Sequence, residues 1–400
     1  MRGEGLRPRD RNVCAPRTTS NLRVLRLSAN SAFSRRIYRA CIRTPNAVRT
    51  LRGMKLKSLL ILVSIALGAC QPSETKTSSS TPATNGPMTI NGAGATFPNP
   101  IYSKWFDEYQ KTHPDIRINY QPIGSGGGIK QLTSQTVFFG ATDGPMTDAQ
   151  LQAAPGAILH FPTVLGGVVP VYNVTGVTPP LRFSGAVLAD IYLGKITKWN
   201  DAAIAKINPG VKLPADDIAV VHRSEGSGTT YIFCDFLSKV SLDYKTKIGV
   251  STAVNWPAGV GAKGNEGVSG LVRQTPGAIG YVELIYALQN KMTYGSVQNK
   301  AGQFITASLD SVTAAATGAA MPDDFRVSIT NADGATAYPI ASFTWLLLYE
   351  HPKDAARGKA MVDFVKWALA DGQKFAPSLG YAPLPQPVVA KEMQALGKIQ

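Results

Sequence analysis

Residues 219–230 have the sequence AVVHRSEGSGTT, in which a short apolar run is followed by a polar, glycine-containing turn. The apolar residues 219–222 predict a buried β-strand, and residues 228–240 have the apolar spacing of a helix. A strand joined to a helix by a short polar turn is the repeating unit of α/β proteins, whose sheets carry helices on both faces. We therefore predict an α/β fold.

The same alternation of strands and helices extends over residues 88–400. Further strands are predicted at 89–92, 116–121, 137–141, 159–164, 168–172, 278–282 and 343–349. Further helices are predicted at 98–113, 147–154, 184–193, 283–290 and 353–369. Gly166 and Gly167 separate two of these strands. Because this length exceeds one ordinary hydrophobic core, we expect two α/β lobes.

Two more glycine-rich turns stand between a predicted strand and a predicted helix, at 92–97 (GAGATF) and 124–128 (GSGGG). The first departs from the dinucleotide-binding fingerprint because Phe97 replaces its third glycine, and the second departs from a P-loop because Gln131 replaces Ser or Thr. A helix N-terminus exposes unpaired amides and a partial positive charge, which favour anions. One such turn is often merely a tight connection, but three, each with Ser or Thr, favour an anion site.

The net charge of +15 is concentrated near the N-terminus. Residues 1–53 contain 13 arginines, no lysine and only two acids, Glu4 and Asp10. The rest of the chain carries 28 basic and 24 acidic residues. A nucleic-acid partner would require a basic surface on the folded part, and so this distribution argues against one.

Residues 54–70 have the layout of a bacterial lipoprotein signal. A basic segment, MKLK (54–57), precedes the apolar run SLLILVSIAL (58–67), and LGAC (67–70) places small residues before Cys70. Such an apolar run is too short to span a bilayer. We expect cleavage before Cys70 and lipidation of its sulfur, with ordinary cleavage nearby as the alternative.

Residues 1–53 and 70–87 are expected to lie outside the folded body. We interpret 1–53 as a disordered upstream extension that a translation start at Met54 would exclude. Residues 71–87 (QPSETKTSSSTPATNGP) are rich in Ser, Thr and Pro and show no apolar periodicity. They predict a flexible tether between the lipid anchor and the fold.

Cysteine and histidine usage gives no metal site, and we expect neither a metal nor a cofactor. Cys14 and Cys41 precede the signal and Cys70 is the predicted lipidation site, which leaves Cys234 to be buried in a helix. The four histidines lack paired metal-ligand spacing. The chain around Ser227 lacks the G-x-S-x-G spacing of a hydrolase, although an exported phosphatase that uses Ser227 stays open as an alternative.

Seven segments resemble, in order, those of the periplasmic phosphate-binding proteins of phosphate ABC importers. They are GAGATFPNPIYSKW (92–105), GSGGGIKQL (124–132), FGATDGPM (139–146), FPTVLGGVVPVYN (161–173), ADIYLGKITKWND (189–201), HRSEGSGTTY (222–231) and PGAIGYVE (276–283). The resemblance implies a two-lobed type II periplasmic binding protein fold, with two crossing hinge segments and an interlobe ligand cleft. It also implies a periplasmic, monomeric, non-enzymatic protein that delivers inorganic phosphate to the importer's membrane subunits.

On that fold we expect lobe I to comprise 88–164 and 338–400, and lobe II to comprise 165–337. The resemblance assigns phosphate contacts to eight residues: Thr96, Phe97, Ser125, Asp143, Arg223, Ser227, Gly228 and Thr229. Glu225 stands where the family has an aspartate that pairs with the arginine. Its extra methylene leaves the orientation of Arg223 open.

Asp143 would repel an anion unless the ligand carries a proton. Hydrogen phosphate has an O–H that a carboxylate can accept, whereas sulfate near neutral pH has none. An unmatched buried acceptor costs enough to discriminate by about 10⁴-fold, and so we predict phosphate specificity, with Arg223 as the cation. A site for another tetrahedral oxyanion such as sulfate, and a role for Asp143 as a cap of the turn before Thr147, stay open.

Overall fold

The computed structural model describes residues 86–400. The predicted extension (1–53), the signal (54–69), Cys70 and nearly all of the tether lie outside these residues. Within the described part, no helix is long and apolar enough to cross a membrane.

The described chain alternates between strands and helices. The strands are β1 (Met88–Gly94), β2 (Ile116–Pro122), β3 (Phe139–Thr142), β4 (Ile158–Asn173), β5 (Arg182–Phe183), β6 (Ala219–Arg223), β7 (Val260–Ala262), β8 (Ala278–Glu283), β9 (Thr293–Tyr294), β10 (Ser296–Gln298), β11 (Phe304–Ile305) and β12 (Ala341–Tyr349). The helices are α1 (Asn99–Thr112), α2 (Ser125–Thr133), α3 (Asp148–Gln152), α4 (Gly185–Tyr192), α5 (Ala202–Ile207), α6 (Gly228–Val240), α7 (Leu242–Lys247), α8 (Gly264–Gln274), α9 (Leu284–Gln289), α10 (Leu309–Ala316), α11 (Ala355–Leu369) and α12 (Gln386–Ala395).

One nine-stranded sheet organises the fold. Its strand order is β2-β1-β3-β12-β4-β8-β6-β7, and β9 pairs with β4 beside this path. At one end β1 runs parallel to β2 and β3, and at the other end β6 runs parallel to β7 and β8. The antiparallel strands β12 and β4 stand between these two groups. The predicted α/β class is confirmed.

The long strand β4 connects the two halves of the sheet. Its residues 158–167 pair with β12, and residues 168–173 pair with β8. The predicted division into two strands at Gly166 and Gly167 is wrong, because both glycines lie inside β4. A Cβ at Gly166 would lie 2.5 Å from the ring of Phe97. The glycine therefore admits a close neighbour and does not end the strand.

Aromatic side chains pack against each half of the sheet. In the first half, the ring of Phe106 has its centroid 6.2 Å from that of Phe139 and 5.2 Å from that of Phe364. In the second half, Phe233 stacks on Tyr281 with centroids 4.4 Å apart. Cys234 of α6 is buried in the same region, and this confirms its predicted location. These cores hold the polar turns at the ends of the parallel strands in fixed positions.

Candidate functional site

The three glycine-rich turns meet at the carboxyl ends of β1, β2 and β6, the edge at which α/β proteins commonly bind ligands. The N–H of Gly124 donates to the carbonyl of Gly94 at 2.8 Å, and that of Gly126 donates to the carbonyl of Gly226 at 2.9 Å. A Cβ at Gly128 would lie 2.4 Å from the Cα of Gly94. Side chains at these positions would keep the backbones apart, so the glycines bring turns from both halves of the sheet together.

Four buried hydroxyl groups converge at this junction: Thr96, Ser125, Ser227 and Thr229. The Thr96 oxygen accepts from the Asn265 side-chain amide at 2.8 Å, and the Ser125 oxygen accepts from the Asp143 N–H at 3.2 Å. The Ser227 oxygen accepts from the Thr230 N–H at 3.1 Å, and the Thr229 oxygen accepts from the Arg223 guanidinium at 3.2 Å. None of the four hydroxyls donates to an acceptor within residues 86–400. Each therefore retains one hydrogen that can be donated to a ligand.

Backbone amides add further donors to the same place. Ser227 caps helix α6, whose first two residues, Gly228 and Thr229, have N–H groups without an acceptor in the described part of the chain. The N–H of Phe97 also lacks an acceptor there, while its carbonyl accepts from the Tyr381 hydroxyl at 2.6 Å. Free amides at the start of a helix favour an anion.

Arg223 is the buried cation of the site. Its Nε donates to Glu225 Oε1 at 3.0 Å, its Nη2 donates to the same oxygen, and its Nη1 donates to the Thr229 hydroxyl at 3.2 Å. Burial would raise the pKa of Glu225, but the hydrogen bond and charge of Arg223 outweigh it and hold that pKa below its ordinary value. Glu225 thus pairs with the arginine despite its extra methylene, and its Oε1 also accepts from the N–H of Gly264 at 3.0 Å.

Asp143 places a buried acceptor among these donors. Its Oδ1 accepts from the Thr344 hydroxyl at 2.8 Å, whereas its Oδ2 is buried and has no hydrogen-bond partner among residues 86–400. Burial raises the pKa of Asp143 to about 7, against the opposing effects of Thr344 and Arg223. The N-cap of the following helix, α3, is Thr147, which forms a capping box with Gln150. Neither oxygen of Asp143 takes part in that cap.

Gly228 lies against the carboxylate of Asp143. A Cβ at this position would lie 2.5 Å from Asp143 Oδ2 and 2.5 Å from the Ser125 hydroxyl oxygen. Helix α6 therefore starts in direct contact with groups from the other half of the sheet. Only glycine allows this approach, because a contact under about 3 Å would displace the neighbouring atoms.

Two polar residues of the site were missed by sequence reasoning, Asn265 and Thr344. Asn265 is fully buried and donates to the hydroxyls of Thr96 and Thr229, at 2.8 Å and 3.3 Å. It belongs to α8, a helix that the apolar pattern did not predict. Thr344 interrupts the apolar segment FTWLLLY, and this lone hydroxyl was the available signal that its strand faces a polar group.

The donors and the acceptor of Asp143 together suit a tetrahedral anion that carries one proton. Hydroxyls, amides and one guanidinium can surround its oxygens, and Asp143 Oδ2 can accept its hydrogen. Among the described residues, no group of three or more His, Cys, Asp or Glu side chains is placed to hold a metal ion.

Comparison with protein families gives a match over most of the chain. Residues 74–371 match the model of the PBP superfamily domain. The chain is 50% identical over 309 residues to the phosphate-binding protein PstS of Xylella fastidiosa strain 9a5c, covering 76% of this chain and 84% of that protein. It is 47% identical over 307 residues to the phosphate-binding protein PstS of Pasteurella multocida, covering 76% and 88%.

Solved structures show the same fold at low sequence identity. A high-affinity periplasmic phosphate-binding protein bound with phosphate at pH 8.5 aligns with a TM-score of 0.64 and 21% identity, covering 77% of this chain and 93% of that chain. A phosphate-binding protein from Stenotrophomonas maltophilia aligns with a TM-score of 0.61 and 19% identity, covering 77% and 93%. The predicted two-lobed type II fold is confirmed.

Proposed function

Since the chain belongs to the PBP superfamily and, within it, to the phosphate-binding proteins PstS, we propose that it captures inorganic phosphate where the three glycine-rich turns meet. The proposed ligand is hydrogen phosphate. The proposed contacts are the eight residues expected from the sequence: Thr96, Phe97, Ser125, Asp143, Arg223, Ser227, Gly228 and Thr229. Glu225 holds the guanidinium of Arg223 in orientation.

The observation that carries this proposal is the polarity of the site. Four buried hydroxyls accept bonds from the protein, and none of them donates its own hydrogen to an acceptor among residues 86–400. Asp143 Oδ2 is a buried acceptor beside them without a partner among the described residues, and Glu225 Oε2, which is also unpartnered, belongs to the carboxylate that pairs with Arg223. A ligand that fits this set must accept many hydrogen bonds and donate one. Hydrogen phosphate does both.

Selectivity follows from Asp143. Sulfate has no proton to donate near neutral pH, so it would place an unprotonated oxygen against a buried carboxylate. Above pH 7 Asp143 is ionised, because burial raises its pKa only to about 7, and the two negative groups repel. Below that pH the carboxyl holds a proton and rejects sulfate less strongly. The unmatched acceptor costs several kcal/mol, which is enough for discrimination of about 10⁴-fold.

The Arg223–Glu225 pair limits the net positive charge of the site. The guanidinium matches phosphate oxygens in a fork, but the carboxylate of Glu225 largely neutralises it. Most of the binding energy then comes from neutral donors and helix amides, which need no counter-ion and do not reorganise when the ligand enters. An ion pair of this kind also fixes the guanidinium plane before binding.

Capture is proposed to involve closure of two lobes, with lobe I at 88–164 and 338–400 and lobe II at 165–337. Strand β4 passes from one half of the sheet to the other, which supports a hinge there. Beside it, where the chain returns to the proposed lobe I, the Ile340 carbonyl accepts from the Val168 N–H at 2.9 Å. Across the cleft, the bond from the Gly126 N–H to the Gly226 carbonyl joins the halves. Hinge closure around a ligand is the usual motion of two-lobed binders.

The protein is further proposed to be exported as a monomeric lipoprotein anchored through Cys70, and to deliver phosphate to the membrane subunits of an ABC importer. The signal layout of residues 54–70 supports the anchor, and the relatives' name, phosphate-binding protein PstS, supports capture of phosphate. Delivery to an importer rests on the resemblance of the seven sequence segments. Fractionation of cells that express the protein tests the anchor. Wild type should sediment with membranes and Cys70→Ala should not; equal distribution of the two would contradict it.

A phosphatase that uses Ser227 as its nucleophile is the competing function. The Ser227 hydroxyl oxygen accepts from the Thr230 N–H as a helix cap, and in the described chain no histidine or lysine side chain is hydrogen-bonded to it. A nucleophilic serine needs such a base. This environment favours binding without turnover.

The experiment that separates the two functions is equilibrium binding of radiolabelled phosphate, run beside turnover of a chromogenic phosphate ester. We expect one phosphate bound per chain and no ester hydrolysis. Hydrolysis that disappears in Ser227→Ala would establish the enzyme instead, and absence of phosphate binding would remove the proposed function.

A further inference from the structure

Asn265 joins two hydroxyls that come from opposite halves of the sheet. Its side-chain nitrogen, Nδ2, donates to the Thr96 hydroxyl at 2.8 Å and to the Thr229 hydroxyl at 3.3 Å. Thr96 follows β1 in the first half, and Thr229 belongs to α6 in the second half. All three residues are buried, with exposed fractions of 0–3%. One side-chain amide therefore bonds to a hydroxyl from each half of the sheet.

The orientation of this amide is fixed by a third contact. Asn265 Oδ1 accepts from the backbone N–H of Glu283 at 3.0 Å. A side-chain amide has one acceptor end and one donor end, so this bond turns both hydrogens of Nδ2 toward the threonines. The flipped orientation would leave the Glu283 N–H facing another donor, and buried donors without partners are costly.

These bonds determine which way each hydroxyl can act. Thr96 Oγ1 also accepts from the Asn265 backbone N–H at 3.4 Å, and Thr229 Oγ1 also accepts from Arg223 Nη1 at 3.2 Å. A hydroxyl has two lone pairs and one hydrogen. With both lone pairs engaged, each threonine can only donate, and neither hydrogen has an acceptor within the described part of the chain.

We propose that Asn265 is a positioning residue for phosphate capture, which acts by holding the hydroxyls of Thr96 and Thr229 as donors. The inference rests on the proposed function, since the acceptor of both hydrogens is the bound phosphate. Asn265 does not touch the ligand in this account. Its effect passes entirely through the two threonines, and the Asn265–Thr96 bond additionally couples ligand orientation to contact between the two halves.

The test is a cycle of variants in the full-length protein, with phosphate affinity measured by calorimetry. Asn265→Leu keeps the side-chain shape and removes the donors, and the double variant Thr96→Val/Thr229→Val removes the hydroxyls. In wild type, Asn265→Leu should weaken phosphate binding about 10- to 100-fold, because two donors to a charged ligand lose their orientation. In the double variant the same substitution should change the affinity by less than about threefold.

Asn208→Leu is the matched control for loss of a buried asparagine. Asn208 is also buried, with its amide donating to the carbonyls of Arg182 and Ile204, both at 3.0 Å, but it lies outside the site. We expect this variant to lower the unfolding temperature and to leave the phosphate affinity unchanged within about threefold. An equal loss of affinity in Asn208→Leu would mean that general destabilisation explains the effect, and would overturn the inference.

Asn265→Asp provides a second measurement if the leucine variant does not fold. Aspartate keeps the size and the bond to the Glu283 N–H, but its other oxygen accepts, so it turns the threonine hydrogens away from the ligand. Affinity should fall by more than about 100-fold; unchanged affinity would contradict the proposal. If Asn265→Leu weakened phosphate binding equally in wild type and in the double variant, this inference alone would be overturned. If the wild-type protein did not bind phosphate, both the proposed function and this inference would be overturned.

Discussion

Thr344 Oγ1 donates a 2.8 Å hydrogen bond to Asp143 Oδ1, and this bond leaves Oδ2 as the only oxygen of that carboxylate able to face a ligand. The two residues are 201 positions apart in the chain. They meet because Thr344 lies on β12, which pairs with β3, and Asp143 directly follows β3. The strand pairing therefore sets the direction of the acceptor. A carboxylate that is held in this way need not reorient when a ligand binds.

Replacing the acceptor should remove the selectivity for phosphate over sulfate. In Asp143→Asn the side chain can donate to an unprotonated oxygen, so the repulsion that rejects sulfate is lost. We expect the ratio of phosphate to sulfate affinity to fall by at least about 100-fold. Competition between the two anions for the purified variant measures the ratio. A ratio equal to that of wild type would show that Asp143 is not the selecting group.

The stability of the ligand-free protein should fall as the pH rises from about 4 to about 7. Burial raises the pKa of Asp143 to about 7, so over this range the folded state holds a proton that the unfolded chain has released. Its contribution is complete below the unfolded pKa and is lost as the pH rises through the folded pKa.

Urea unfolding of ligand-free wild type and Asp143→Asn isolates this contribution from other buried carboxyls. The difference in unfolding free energy between the two should change by roughly 1 kcal/mol per pH unit between pH 5 and pH 6, with wild type losing relative stability as the pH rises. Parallel curves for the two proteins over that interval would contradict the raised pKa.

Arg223→Lys should weaken phosphate binding although the positive charge is kept. Lysine has no planar fork, so it cannot hold both Glu225 and the Thr229 hydroxyl while contacting phosphate. We expect a loss of about 100-fold in affinity. Arg273→Lys is the control, because Arg273 lies on the exposed side of α8 and bonds to Asn290. The interpretation fails if both variants bind like wild type.

Gly228→Ala should impair binding through steric contact alone. The added Cβ would stand 2.5 Å from both Asp143 Oδ2 and the Ser125 hydroxyl oxygen, which forces the halves of the site apart at a cost of about 1–3 kcal/mol. We expect about 10- to 100-fold weaker phosphate binding by calorimetry. Gly270→Ala in α8 is the matched control, since its Cβ would meet no atom within 4 Å. Normal affinity in Gly228→Ala would show that the close approach is not needed.

Much of the fold was predictable from local sequence patterns. Helix α6 was predicted at its observed bounds, and strands β1, β2, β6 and β8 within three residues at each end, because each has a clear apolar period or polar boundary. The division of β4 was wrong because Gly166 is a glycine in order to make room for the ring of Phe97, which lies 69 positions earlier in the chain. A glycine required by tertiary contact has the same local signature as one that ends a strand.

The site was predictable only in part, for a related reason. The glycine turns and Arg223 have local signatures, and the family resemblance indicated the eight residues proposed to contact phosphate. Asn265 has no local signature, and Thr344 has only its polar interruption of an apolar strand, because their roles depend on partners 169 and 201 positions away. The direction in which a hydroxyl donates is likewise set by the partners of its oxygen, and these appear only when the strands are assembled.

The most direct test is a calorimetric titration of the purified protein, freed of bound anion, first with phosphate and then with sulfate at about pH 8.5, where Asp143 is ionised. We expect tight one-to-one binding of phosphate and a sulfate affinity lower by about 10⁴-fold. Comparable affinity for the two anions would contradict the role of Asp143 as acceptor of the ligand's proton, and no binding of either would contradict the phosphate site itself.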